Sequence, residues 1–130
     1  GETEIEIAQV SGRDELAVLS RALREMVDRL RRNQIELQRK QDQIETDQKL
    51  GRLEDDIRKL KIDFDIYFNG ASKRAPLEAR ARLEASIKRM SDNRNMTFAQ
   101  RYYMNTLVAR FTSYRELWRR TLRAKGEELT

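Results

Sequence analysis

Apolar residues recur at spacings of three and four between residues 16 and 37, which is the pattern of one narrow face of a long α-helix. The positions that share this face are Leu16, Leu19, Leu23, Met26, Leu30 and Leu37. They follow a heptad repeat in which Asn33 occupies one core position, and such a repeat is typical of helices that pair in a coiled coil. Because no neighbouring helix lies close in sequence to cover this face, we predict pairing with a second copy of the chain. Packing on the same chain is the alternative.

The first ten residues have a different pattern. Residues 4–7 alternate charged and apolar side chains, which is a strand signal, but a single strand of this length is not stable alone. We therefore expect an extended connector here. Residues 11–13 interrupt the pattern, and Asp14 and Glu15 then supply the acidic first turn that favours the start of a helix.

A second apolar seam follows a polar segment. Residues 38–49 contain one apolar residue, Ile44, and no helix breaker, so we expect a weakly held helical linker. The seam that follows comprises Leu50, Leu53, Ile57, Leu60, Phe64 and Tyr67. The first heptad frame would place its next core position at Gly51, so the two seams are one residue out of phase. Glycine is less favourable than alanine inside a helix by about 1 kcal/mol. We predict a mechanical junction at Leu50 and Gly51.

Turn-forming residues divide the remainder into two shorter helices. Gly70 is predicted to end the long helix as a left-handed cap, and a second helix is predicted over residues 76–91. Thr97 and Gln100 have the spacing of a capping box for a last helix that ends near Lys125.

The last helix has its own apolar stripe at spacings of three and four. Its members are Met104, Leu107, Val108, Phe111, Tyr114, Trp118 and Leu122. Most aromatic residues lie between residues 64 and 118, and we interpret them as core rather than as a ligand-binding group. The predicted fold class is all-α: a long parallel coiled-coil helix leads into a three-helix bundle formed by residues 50–125.

The composition excludes several kinds of chemistry. The 130 residues contain no cysteine and no histidine, which removes thiol nucleophiles, the usual zinc sites and Ser-His-Asp catalysis. Carboxylates cluster at residues 54–56, but adjacent helical residues do not face one another. We expect no enzymatic activity, no metal and no cofactor. No apolar run reaches the ~18 residues of a membrane span, and the chain starts without Met, as an excised fragment would.

Positive charge is concentrated in the C-terminal part. Residues 71–125 contain fourteen Lys and Arg against four Asp and Glu, a net charge of +10 within a chain of net charge +5. This excess favours an acidic protein, an anionic membrane surface or nucleic acid as partner, with a solvated basic face as the alternative. The candidate partner surface consists of Arg80, Arg82, Arg89, Arg119, Arg120 and Arg123. The last three also complement a helix C-terminus, which requires no ligand.

The first 37 residues resemble the second half of a HAMP domain, the signal-relay module of bacterial sensor proteins. The matching features are Gly1, Ile7 of the connector, the Asp14-Glu15 pair and the heptad helix after it. The first HAMP helix is not contained in the chain. The resemblance implies a homodimer on the cytoplasmic side of the inner membrane, within a membrane-anchored parent, that relays a signal to a cytoplasmic protein.

Residues 50–125 resemble an uncharacterised C-terminal helical domain of deltaproteobacterial proteins. The matching stretches include residues 67–70, residues 107–114 and residues 118–123. The predicted organisation is therefore a partial HAMP over residues 1–37, a helical linker over residues 38–49 and a basic three-helix domain over residues 50–130. We expect a non-catalytic signal relay, with a nucleic-acid-binding helical protein or a coiled-coil scaffold as alternatives.

Overall fold

Three helices form the protein. The computed structural model describes residues 2–126, and their side chains from residue 12 onward. The helices are α1 (Glu2–Phe68), α2 (Leu77–Ser91) and α3 (Phe98–Ala124), with no strand in this described range. The all-α prediction, with three helices and a bundle, is confirmed. The chain divides into two compact units, Gly1–Asp42 and Gln43–Thr130.

The prediction of an extended connector is wrong for the part of it that the structure describes. The helix α1 begins at Glu2, and it continues through Gly12 and past Asp14 without interruption. No strand is available there to pair with residues 4–7, so helical hydrogen bonds satisfy their backbone instead. Gly1 lies outside the described residues, as does the side chain of Ile7.

The C-terminal unit is a three-helix bundle in which α1 and α3 run parallel. The side chain of Gln100 donates a hydrogen bond to the backbone oxygen of Gln43, and Lys125 donates one to the backbone oxygen of Phe68. Both pairs are separated by 57 residues, so the two helices keep one register from end to end. The helix α2 returns between them, with its start beside the later part of α1 and its end beside the earlier part.

The second apolar seam forms the core of this bundle together with α3. The buried hydrophobic residues are Leu50, Leu53, Ile57, Leu60, Phe64, Tyr67, Leu83, Met104, Leu107, Phe111, Trp118 and Leu122. Trp118 lies at the centre, and its ring stacks on Phe64 with 4.1 Å between ring centroids. Phe111 contacts the same indole edge-on at 6.2 Å. Such aromatic pairs contribute roughly 0.5–1.5 kcal/mol beyond the area they bury.

The helix ends follow the predicted turn chemistry. Gly70 has a φ of 83°, and the amides of Gly70 and Ala71 donate to the carbonyls of Tyr67 and Ile66, as in a Schellman cap. Thr97 and Gln100 form both hydrogen bonds of a capping box, which confirms the predicted start of α3.

The interpretation of the aromatic residues as core is wrong for two of them. Phe98 is 90% exposed and Tyr102 is 71% exposed. They are four residues apart on α3, on the side of the helix away from the buried stripe. The helical period places them about 140–180° from Leu107 and Phe111, so the core does not reach them.

We expect the substitution Leu107→Ala to destabilise the bundle by about 2–5 kcal/mol, because Leu107 is fully buried and its loss leaves a cavity. The matched control is Leu117→Ala on the same helix, where the leucine is 53% exposed, and we expect a change of under about 1 kcal/mol. Urea unfolding followed by circular dichroism measures both. Equal losses for the two variants would contradict the assignment of the core face.

Candidate helix-pairing and interaction surfaces

The predicted pairing stripe is exposed along the whole N-terminal unit. Its six aliphatic side chains are 57–65% exposed, and the polar core position Asn33 is exposed as well. Among the described residues of this unit, no second helix is present to cover them. A single helix without tertiary contacts is marginal in water, since most helix stability in proteins comes from packing of an apolar face.

Burial of this stripe by a partner would be strongly favourable. Removal of a Leu or Met side chain from water contributes about 1.5–3 kcal/mol. Three further large aliphatic residues, Val18, Val27 and Ile35, are also exposed in this unit but lie outside the two core positions of the heptad. The stripe is therefore distinguished by its spacing rather than by exposure alone.

The predicted junction at Leu50 and Gly51 lies inside the bundle rather than between two parts of the chain. Leu50 is 1% exposed and belongs to the core, and α1 continues through Gly51 as regular helix. A Cβ atom at Gly51 would meet no other atom within 4 Å, so packing does not require glycine there. The phase difference between the two seams instead accompanies a change in what covers α1, because its later seam packs on α2 and α3.

The bundle begins seven residues earlier than the predicted boundary at residue 50. The C-terminal unit starts at Gln43, and Thr46 is already buried. The contact that sequence reasoning missed is the side chain of Gln100, which is 6% exposed and reaches Gln43 and Asp47 on α1. The capping-box spacing identified Gln100, but no local pattern connects it to residues more than fifty positions away.

Two basic side chains act inside the bundle as helix caps. Arg101 donates hydrogen bonds to the backbone oxygens of Ser91 and Asn93, at the C-terminal end of α2. Lys125 binds the backbone oxygen of Phe68 at 3.1 Å and lies 5.4 Å from that residue's ring centroid, at the end of α1. Cations at helix C-termini interact favourably with the helix dipole, so part of the positive charge stabilises the fold.

Arg80, which was predicted to belong to the partner surface, is largely buried. Its side chain is only 13% exposed, and its Nε lies 3.7 Å from a carboxylate oxygen of Glu84. Arg115 approaches the same oxygen at 3.8 Å, so one carboxylate faces two guanidinium groups between α2 and α3. Arg80 therefore pairs with Glu84 on its own helix, and Arg115 links the same carboxylate to α3.

Arg82 and Arg89 are exposed and line a groove of about 560 Å³ between α1 and α2. The opposite wall carries Asp56, Lys59 and Asp63, so these two arginines face carboxylates of their own chain. The groove is mixed in charge, and it does not concentrate positive potential as a site for an anion would.

Arg119, Arg120 and Arg123 are exposed near the end of α3. Arg119 lies 3.8 Å from a carboxylate oxygen of Glu116, whereas within the described residues Arg120 and Arg123 have no ion pair. On α1, the hydrogen bond that Lys61 donates to Asp65 raises the pKa of Lys61, and so does the negative charge of that carboxylate. Among the described residues of α3, the exposed cations without an ion pair are therefore Arg110, Arg120 and Arg123.

Within the described residues, no three Asp or Glu side chains come together as a metal ion would require. No helix in that range is long and apolar enough to span a membrane. Comparison of the chain with protein-family models, with curated proteins and with solved structures finds no match.

We expect an alanine inserted after Lys40 to leave the bundle intact, because the C-terminal unit begins at Gln43. The same insertion after Gly51 rotates residues 43–50 by about 100° relative to the core that follows them. We expect a loss of about 2–5 kcal/mol for the second variant, comparable to removal of the buried Leu50 side chain, and under about 1 kcal/mol for the first. Urea unfolding of both proteins measures the difference. A tolerated insertion after Gly51 would restore the junction that the sequence predicts there.

Proposed function

We propose that this chain is a non-catalytic signal-relay module that works as a homodimer. In this proposal the stripe of α1 pairs with the same stripe of a second copy, and a change in that pair is passed through α1 to the bundle. The observation that carries the proposal is that the heptad stripe of the N-terminal unit is exposed. The later seam of α1, by contrast, is buried by helices of the same chain. One helix that contacts two different partners is a physical basis for a two-state relay.

A parallel, in-register pair fits the charges along the stripe. In this arrangement the two copies of Asn33 face each other and hydrogen-bond across the axis, which fixes the register. The flanking positions then bring Arg29 beside Gln34 of the other copy, and Glu36 beside its Gln41. No like charges oppose each other at these positions, so nothing in them disfavours the parallel pair.

The HAMP resemblance supports a signalling setting for this pair. It associates the heptad helix with a bacterial sensor that is anchored in the inner membrane, with the relay on its cytoplasmic side. The segment that corresponds to the HAMP connector is helical here, so the relay that we propose runs along α1 and does not depend on a connector.

The bundle is the output of the relay in this proposal, and an acidic cytoplasmic protein is its partner. Arg120 and Arg123 support this choice because they are exposed and are not neutralised by the described part of the chain. Guanidinium groups recognise carboxylates through paired hydrogen bonds, which provides geometric specificity as well as charge.

We expect Leu30→Asp to abolish pairing, because it places two carboxylates opposite each other in the apolar seam. The matched control is Ile35→Asp, which introduces the same charge at an equally exposed aliphatic position outside the stripe. Sedimentation equilibrium should report a dimer for the parent chain and for Ile35→Asp, and a monomer for Leu30→Asp.

The proposal fails if the parent chain remains monomeric at high concentration while residues 16–37 are still helical. It also fails if both aspartate variants retain the same mass as the parent chain, since the stripe would then not be the interface.

Charge reversal at Arg120 and Arg123 should abolish signalling output in the full-length sensor while the unfolding free energy changes by less than about 1 kcal/mol, as for other surface substitutions. The control pair is Lys88→Glu with Arg94→Glu, which reverses two other exposed cations of the bundle. A signalling assay in cells and urea unfolding measure the two effects. Unchanged output in the first pair would exclude this cluster as the partner surface.

A salt titration with a generic DNA duplex separates the acidic-protein partner from nucleic acid. We expect no binding at physiological salt. Binding that weakens steeply with added salt would instead support the nucleic-acid alternative.

A further inference from the structure

The side chain of Gln100 connects the first turn of α3 to α1. Its Nε2 donates hydrogen bonds to the backbone oxygen of Gln43 at 3.0 Å and to a carboxylate oxygen of Asp47 at 2.8 Å. Its Oε1 accepts from the backbone amide of Thr97 at 3.0 Å. Both amide hydrogens and the amide oxygen are therefore used in a side chain that is 6% exposed. We call the two contacts to α1 the Gln100 bridge.

The bridge explains why this position is glutamine. A capping box works equally well with glutamate, because either side chain can accept from the backbone amide at the helix start. Only glutamine can also donate, and both groups that it meets on α1 are acceptors. A glutamate here would keep the cap and would place its carboxylate against that of Asp47.

The bridge attaches to a turn of α1 that has two roles. Thr46 on this turn is buried in the bundle, whereas Ile44 is 57% exposed and belongs to the heptad frame of Leu30 and Leu37. The same frame assigns Asp47 to a core position, since it follows Asn33 at two heptad intervals. Two Asp47 carboxylates facing each other would oppose pairing, so the pair can extend only as far as Ile44, which lies one residue after Gln43 of the bridge.

We infer that the Gln100 bridge and extension of the helix pair compete for this turn of α1, and that this competition is how the relay reaches α3. The inference rests on the proposed function. When pairing extends as far as Ile44, the turn of α1 that carries Gln43 and Asp47 rotates with it and the bridge breaks. When the bridge forms, pairing ends before Gln43.

A small rotation is sufficient for this exchange. The Cα atoms of an α-helix lie about 2.3 Å from its axis, so a rotation of about 30° moves them by about 1.2 Å. The side-chain oxygen of Asp47 moves farther than its Cα atom. The 2.8 Å bond from Gln100 to Asp47 is therefore the first contact of the bridge to be lost.

The test links two copies covalently through an introduced cysteine. Because the sequence contains no other cysteine, a disulfide can form only at that position. In the variant Leu37→Cys, oxidation links two copies at a seam position, and the reduced protein is the matched control. Amide hydrogen exchange is measured over residues 43–50 and 97–104. We expect oxidation to accelerate exchange in both segments by about tenfold, the effect of losing roughly 1.4 kcal/mol of local stability.

The same measurement is made with Gln100→Glu added. We expect fast exchange in the reduced and the oxidised protein alike, because the bridge is already absent. Addition of Asp47→Asn should restore slow exchange to the reduced protein, since the introduced amide donates to the introduced carboxylate. Trp118 fluorescence verifies that the bundle is folded in each variant.

Two results overturn the inference. If oxidation leaves exchange unchanged in the Leu37→Cys protein, pairing does not act on the bridge. If oxidation accelerates exchange equally with and without Gln100→Glu, the signal reaches α3 by another route. The covalent link forms the pair whether or not the chain pairs spontaneously, so these results are distinct from a failure of the proposed homodimer.

The competition also predicts a reciprocal effect that needs no cross-link. Removal of the bridge by Gln100→Glu frees the turn for pairing, so the dimer dissociation constant should fall by about fivefold or more in sedimentation equilibrium. An unchanged or larger constant would contradict the competition, and the double variant with Asp47→Asn should return it to the parent value.

Discussion

The stacking of α1 on α3 in one constant register is the constraint on which the rest of this structure depends. It directs the later seam of α1 inward, against Trp118 and the other buried residues of α3, and leaves the earlier stripe exposed. The seam in phase with α3 is therefore buried, whereas the seam in the earlier phase has no cover among the described residues. The short helix α2 then closes the bundle from the remaining side.

Local chemistry was predictable from the sequence, and non-local chemistry was not. The end of α1 at Gly70 and the start of α3 at Thr97 follow from residues within one turn of each site, so spacing alone was sufficient. The periodicity of the second seam correctly identified which residues are buried. Periodicity does not identify which helices cover these residues. For this reason the phase shift at Gly51 predicts a mechanical junction, although Gly51 lies in the middle of a packed helix. The extended connector failed for a related reason, since alternation over four residues predicts a strand only where another strand can pair with it.

The basic residues show the same division. The excess of positive charge is evident from the composition. Only the fold distinguishes the basic side chains that contact other parts of the bundle from those that remain free on the surface. Arg101 connects α3 to the end of α2, Arg80 pairs with Glu84 on its own helix, Lys125 caps α1, and Arg82 faces carboxylates across a groove. Among the described residues, fewer basic side chains remain exposed and unpaired than the composition suggests, and Arg120 and Arg123 are two of them. Net charge alone would have assigned all of these residues to one surface.

The separation of 57 residues between the contacts that fix both ends of the bundle also sets an order during synthesis. Translation proceeds at about 5–20 residues per second, and Lys125 is made 57 residues after Phe68. All of α1 therefore leaves the ribosome before the helix that covers its later seam is complete. During that interval a nascent chain exposes both apolar seams to chains on neighbouring ribosomes. Its later seam must therefore avoid contact with another chain until its own α3 has been made.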